Sequence, residues 1–365
     1  MSMLSTINIG KDKYPALTGI RACGASVVFF EHFPLFGVDS HVTINVMAFF
    51  FVLSGFLIVR IYYEQAELRS SWLAKYFVNR FARIYPIYFL LLSIAVLLHH
   101  NFRPWMLIKN YTLTHGLFHH TEFIIQPSWT LTVEECFYFL APFFMILARR
   151  YNFLVSFGLG CLSLLAALFV STLNIVFLQT PVFVLSTTFF GHFVEFFAGF
   201  YIALALLKVE KKGTTRAPGS KYTLAGLAGV SLLVFAMLIV YRHVPLNYAA
   251  IIVINNFLIP WPIALLYWGL IRENTLLSRC LSGSIARLLG RSSYSFYLLH
   301  TLIIDYVSIP FLLNVFGNRP LCVYFTFSVT WIISILLFAF YEEPLNILIR
   351  RKFKSKGRWI ARAPA

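Results

Sequence analysis

The sequence predicts an all-α membrane protein, about ten transmembrane helices gathered around a polar cavity. Three observations carry that reading. The 365 residues are 59% hydrophobic and 12% charged, with a mean hydropathy of +0.76, whereas a soluble domain carries about twice that charge. Apolar runs of about 20 residues, enough to cross the hydrocarbon core, recur along the whole length. A few ionisable side chains sit inside those runs at helical spacing, and such groups face a polar interior rather than lipid.

The ten spans fall at approximately 15–36, 43–61, 84–100, 130–148, 152–173, 186–207, 222–241, 248–271, 292–314 and 321–341. The third is short, and Pro310 interrupts the ninth. Pro86 and Pro142 lie inside helical runs, where a proline kinks the helix. Residues 1–345 read as one transmembrane unit and 346–365 as a basic cytoplasmic tail. The opening MSMLSTINIGKDK lacks the h-region and cleavage site of a removable signal. Stretch 101–129 is too long for a mere connector, so it is expected to fold back over the bundle. No internal repeat is visible, which disfavours an inverted-repeat transporter.

Charge sets the orientation. With ten spans and both ends inside, the inner segments hold 25 of the 30 Lys and Arg, and the outer ones only Arg103, Lys109, Arg242 and Arg319. This is the positive-inside asymmetry of a multi-pass plasma (inner) membrane protein with both termini cytoplasmic. The net charge of +16 therefore calls for no nucleic-acid partner, and the tail RRKFKSKGRWIAR is expected to contact membrane lipids. The five cysteines, Cys23, Cys136, Cys161, Cys280 and Cys322, share no metal-ligand spacing and read as buried, inert thiols. His99, His100, His115, His119 and His120 cluster around the outer loop without an HExxH pattern or a neighbouring Cys, so no metal site is expected.

The chemistry-bearing residues begin with ALTGIRACGASVVFFEH. Arg21 and His32 are eleven positions apart, so they share a helical face and differ in depth by roughly 16 Å; that face either looks into a polar cavity or holds a structural pair, Arg21 snorkelling inward and His32 satisfied by a backbone carbonyl. Glu31 points about 100° away. In FFFVLSGFLI, Ser54 and Gly55 permit close backbone approach. NRFARIYP places Arg80 and Arg83 side by side at the inner boundary; taken alone the pair reads as ordinary positive-inside flanking, and it also suits forked hydrogen bonds with phosphate. In PSWTLTVEECFYFLAP, Trp129 suits the interface, and Glu134 and Tyr138 share a face at a depth similar to His32. An imidazole and a carboxylate at one depth form either a base with its orienting partner or a structural ion pair. In GRSSYSFYLLH, Ser293, Tyr297 and His300 share a face. In YEEPLN, Pro344 marks a helix end. His192 with Glu195, and Asp305, are further polar groups within spans, without an assigned role.

The ordered set resembles the acyltransferase-3 family of integral membrane acyltransferases. Its elements are Arg21 and His32 with ten residues between, FFFVLSGF, the Arg80-x-x-Arg83 pair followed by Pro86, NYTL at 110–113, SWTLTVEECFY, SYSFYLLH and the final YEEP. The resemblance implies a short acyl group, acetyl above all, moving from cytoplasmic acyl-coenzyme A to a hydroxyl of a glycan or lipid-linked sugar. It implies that acetyl-coenzyme A is a co-substrate rather than a resident cofactor. It matches His32 to the essential histidine, Arg21 to its partner arginine, Arg80 and Arg83 to the donor-binding motif, and Glu134 to the acidic position of the Trp-led motif. Some relatives carry a C-terminal esterase-like domain, and none is expected here.

The expected mechanism follows. His32 is the base and Glu134 orients or charge-balances it. The coenzyme phosphates sit near Arg80 and Arg83, and the pantetheine arm runs past Arg21. Ser54, Trp129, Tyr138, Tyr297 and His300 are the expected substrate contacts. Direct transfer and a transient acyl-histidine both fit. The rival readings are a proton-coupled transporter or flippase of a glycan or small metabolite, a membrane scaffold, and an unrelated membrane acyltransferase fold.

Overall fold

The computed structural model describes residues 12–33, 44–99, 102–117, 123–173, 180–213, 217–243 and 248–360. These are mostly helical, joined by short turns, with no strand among them. The helices are α1 (Pro15–His32), α2 (Ile44–Tyr62), α3 (Ser70–Leu98), α4 (Pro104–Tyr111), α5 (Trp129–Arg150), α6 (Phe153–Thr172), α7 (Pro181–Thr187), α8 (Phe189–Lys211), α9 (Lys221–His243), α10 (Tyr248–Val253), α11 (Pro260–Arg272), α12 (Leu276–Leu281), α13 (Ser284–Ile303), α14 (Leu313–Phe316), α15 (Arg319–Leu337) and α16 (Glu343–Ile360).

Among the described residues nine helical segments are long and apolar enough to cross a membrane. The first of the ten expected spans, α1, is not among them. Arg21, Glu31 and His32 lower its hydropathy, yet it packs within the bundle against α13 and α2. Residues 34–36, the expected end of that span, lie outside the described residues. The third span is longer than expected: α3 begins at Ser70 and runs unbroken past Pro86. Its charged inner half, with Lys75, Arg80 and Arg83, hides the helix from a hydropathy reading. Pro310 is absorbed in a π-helical stretch, Ile304–Leu312, the kind of bulge that frees the backbone group a proline cannot pair. Pro344 does not end the helical path. A π turn over Phe338–Glu342 leads directly into α16, and Pro344 falls in the first turn of α16, where no N–H is required. The basic tail is thus helical to Ile360, and α16 packs along α3.

Helix starts follow local chemistry. Asn152, Thr180, Thr275 and Asn318 each accept a backbone N–H with their side-chain oxygen, satisfying a donor that the first turn leaves orphaned. The start of α9 is capped from a distance: the Glu273 carboxylate accepts from the Tyr222 and Thr223 amides at 2.9 Å and from the Thr223 hydroxyl at 2.7 Å. Burial alone would raise the Glu273 pKa, but these hydrogen bonds outweigh it and hold the carboxyl below its usual range.

Two close helix pairs build the centre. In α2 and α8, a Cβ at Gly55 would fall 2.1 Å from the Phe196 carbonyl oxygen, and one at Gly199 would fall 1.9 Å from that of Val52. Only glycine lets these backbones meet. Gly290 of α13 packs against the Thr18 carbonyl of α1 in the same way. The first half of α8, Phe189–Phe200, is buried almost all round, with Phe193, Phe196, Phe197 and Phe200 wholly enclosed. Outward-facing residues such as Phe139, Leu154, Leu162, Leu165 and Phe169 are exposed, as a lipid-facing belt should be.

The stretch between α3 and α5 folds back as expected where it is described. Asn110 is fully buried: its side chain donates to the Met106 carbonyl and accepts from the Ile124 amide. Leu113 adopts a left-handed φ of 54°, and its carbonyl accepts from Thr132. The NYTL motif is therefore a loop clamp. His115 is buried against Ser128, while His100, His119 and His120 lie outside the described residues. Four of the five thiols expected to be buried are not. Cys23 and Cys280 are exposed, Cys136 and Cys161 are half-buried, and Cys322 alone is enclosed, because apolar runs in a bundle present one face outward.

Candidate active site

A cavity of about 500 Å³ opens between α1, α2, α3, α5, α13 and α16. Its polar wall contains Arg21, Ser54, Arg80, Arg83, Glu134, Tyr138, Ser293 and Tyr297. Seven of the ten residues singled out for a site in the sequence therefore share one chamber. His32, His300 and Trp129 are not in its wall.

The mouth is basic. Arg80 lies over the rings of Tyr62 and Tyr138, 5.3 and 5.4 Å from their centroids, and donates to the Tyr62 hydroxyl at 3.2 Å. Its Nε is buried without a hydrogen-bond partner. Arg83 differs: it forms a 2.8 Å ion pair with Glu342. The second oxygen of Glu342 accepts from Ser295 at 2.6 Å. The adjacent Glu343 pairs with Arg291 at 3.0 Å. YEEP therefore supplies the two carboxylates that balance arginines on α3 and α13. Arg291 and Arg350 also line the mouth, and neither was apparent as a site residue in the sequence, where they read as topological charges. Arg350 reaches the Asn79 carbonyl at 3.5 Å and has a buried, unpartnered Nε. Arg21 makes no ion pair or hydrogen bond among the described residues. It stands between the mouth and the middle of the cavity.

In the middle, Glu134 accepts hydrogen bonds at one oxygen from Ser54 and Tyr138. This joins α2 to α5 and presents a carboxylate to the cavity. Glu134 does not hydrogen-bond His32, so the expected histidine–carboxylate pair is not formed. Helical spacing gives a common depth but cannot show what stands between two helices. The far end of the cavity is closed by Tyr297, Phe50, Met47 and Thr130. The Tyr297 hydroxyl donates to the Pro127 carbonyl at 2.9 Å and meets Thr130 Oγ1 at 2.9 Å. An open passage from the mouth to His32 was expected; in this conformation Tyr297 stands across it.

Beyond that tyrosine is a histidine pair. The rings of His300 and Tyr297 are 5.9 Å apart and those of His32 and His300 5.0 Å. His300 Nδ1 lies 2.6 Å from the Tyr297 carbonyl, and a carbonyl only accepts, so Nδ1 carries the proton and Nε2 is bare. His32 Nδ1 lies 3.0 Å from the Val28 carbonyl and 3.4 Å from His300 Nε2. By the same reasoning His32 Nδ1 is protonated and shared between two acceptors. The free lone pair of His32 is then on Nε2, the arrangement a general base requires. His300 was expected to touch substrate; its visible contact is with His32.

Trp129 packs its ring on His192, 5.7 Å away. His192 and Glu195 form a wholly buried 2.8 Å pair, and His192 Nε2 donates to the Ser186 carbonyl at 3.0 Å. These three residues brace α5, α7 and α8. Asp305 is exposed on the π-helical stretch, outside the cavity wall.

A family model described as an acyltransferase domain matches residues 14–340. The chain is 24% identical to a peptidoglycan O-acetyltransferase of Listeria monocytogenes over 172 aligned positions, 41% of this chain and 27% of that protein. It is 24% identical to a Staphylococcus aureus (strain COL) protein provisionally named an O-acetyltransferase, over 380 aligned positions, 91% of this chain and 57% of that one. The same figures hold for its counterpart in strain N315. The chain thus spans between about a quarter and three-fifths of the length of these relatives. No solved structure matches it.

Proposed function

The chain belongs to the acyltransferase-3 family of membrane acyltransferases, and on that premise we propose that it is an O-acetyltransferase of the cell envelope. It moves an acetyl or similarly short acyl group from acyl-coenzyme A to a hydroxyl of a glycan or lipid-linked sugar. The family match favours this over a transporter or flippase. The observation that carries it is the chamber and what lies behind it: an arginine-rich mouth, and, beyond the Tyr297 in its wall, a histidine pair with a free imidazole nitrogen.

The donor's phosphates are held at the mouth by Arg80 and Arg350, whose Nε groups lack protein partners, with Arg291 beside them. Arg83, already neutralised by Glu342, shapes the mouth more than it binds. The pantetheine arm passes Arg21 and the Ser54–Glu134–Tyr138 cluster. His32 Nε2 takes the proton from the acceptor hydroxyl as the hydroxyl oxygen attacks the thioester carbonyl. The resulting imidazolium keeps its Nδ1 proton shared between Val28 and His300, the thioester C–S bond breaks, and the coenzyme leaves as thiolate and takes up the proton that Nε2 had accepted. Tyr297 must swing aside for the acyl group to arrive.

The test is acyl transfer to envelope acceptors by proteoliposomes holding wild type or His32→Gln, with radiolabelled acetyl-coenzyme A. A general base contributes about 10²–10⁴-fold, so the variant should lose at least about a hundredfold at unchanged protein level. Full activity in His32→Gln would remove His32 from the chemistry.

A further inference from the structure

A second pocket, of about 260 Å³, lies beside the basic mouth, between the start of α1 and the α11–α12 turn. It shares Lys13, Tyr14 and Leu17 with a smaller hollow that also touches Arg21. Its charged lining is Lys13, Arg272, Arg279 and Glu273. Arg272 decides its character. The residue is 8% exposed, and its Nε is buried without a hydrogen-bond partner. Among the described residues its guanidinium forms no ion pair, only a ring contact with Trp268 at 5.1 Å. A buried cation normally has an anion beside it. The one carboxylate in the wall, Glu273, is turned to the start of α9, where both its oxygens accept hydrogen bonds, and it makes no ion pair with Arg272 among the described residues. Lys13 is 3.8 Å from Glu210 and largely exposed. Arg279 is exposed and makes no ion pair among the described residues.

We propose that this pocket is an anion site that binds a phosphate group against Arg272, with Arg279 and Lys13 closing over it. The chemistry suits the phosphodiester of an anionic membrane lipid or free phosphate. The site is separate from the donor cavity and does not rest on the acyltransferase reading.

The experiment uses the full chain in detergent. One arm titrates inorganic phosphate against chloride at matched ionic strength and reads the thermal midpoint. The other adds phosphatidylglycerol and phosphatidylcholine in equal amounts and reads retained lipid by native mass spectrometry. Wild type should be protected by phosphate, retain phosphatidylglycerol selectively, or both. Protection by phosphate identifies free phosphate as a ligand, and selective lipid retention without it identifies the headgroup. Arg272→Gln and the surface variant Arg279→Gln should each weaken the effect by roughly tenfold, while Arg150→Gln, an exposed arginine that lines neither cavity, should leave it intact. Arg279→Gln keeps the test open should Arg272→Gln fold poorly. No preference for either phosphate species, or a preference lost in Arg150→Gln and kept in Arg279→Gln, overturns the proposal.

Discussion

Arg80 and Arg83 are three residues apart on α3, and their surroundings give them different work. The Arg83–Glu342 pair is largely buried, so removing one partner strands the other charge. Arg83→Gln and Glu342→Gln should each cost roughly 3 kcal/mol or more, seen as a lowered thermal midpoint in detergent, and the double variant should cost less than their sum. Arg80→Gln should leave the midpoint within experimental scatter and raise the KM for acyl-coenzyme A. Equal destabilisation by Arg80→Gln and Arg83→Gln would contradict this division. The Arg-x-x-Arg spacing is visible in the sequence, but Glu342 is 259 positions away, and nothing in a string of residues joins the two. Arg21, Ser54, Glu134 and Tyr297 could be selected as polar residues inside apolar runs. Arg291 and Arg350 could not, because inner-side arginines are expected on topological grounds alone.

α2 and α8 cross where Gly55 and Gly199 meet opposing carbonyls, and that crossing places Ser54 beside Glu134. Gly199→Val puts carbon where the Val52 carbonyl stands. It should cost about 3 kcal/mol or more through forced separation of the helices and should lower donor binding with it, measured by thermal unfolding and coenzyme A titration. A stable, active Gly199→Val protein would show that the crossing is loose. The outer fold-back carries its own signature. Burial pushes His115 down from its ordinary 6.5 to about 4, so the native loop keeps this ring neutral. The unfolded chain binds the proton first, so loop stability falls as pH drops from about 6.5 towards 4. The protection factors at 110–117, exchange corrected for the intrinsic rate at each pH, should fall over that window in wild type and much less in His115→Asn. Periodicity and hydropathy locate most spans at this scale. They misjudge α3, whose inner half is charged, and α16, whose polarity resembles a tail until its packing on α3 is seen.

The bundle as a whole gathers charge at one end and a histidine pair toward the other, and the account depends on which end faces the cytoplasm. Cys280 is exposed in α12, on the end the positive-inside rule assigns to the cytoplasm. An impermeant maleimide should label it only after permeabilisation, and labelling in intact cells would invert the assignment. That the chain forms a helical membrane bundle is legible in composition and hydropathy, and the charge asymmetry sets the orientation expected of it. The closed state of the chamber is not legible there, since it depends on one tyrosine hydroxyl meeting Pro127 and Thr130 across two helices. The decisive measurement is acyl transfer in sealed membrane vesicles of opposite orientation, with impermeant acetyl-coenzyme A only in the bathing medium. Vesicles exposing the arginine-rich mouth should acylate acceptor, and those exposing the outer loop should not. Transfer confined to the vesicles that expose the outer loop would contradict a donor site at that mouth.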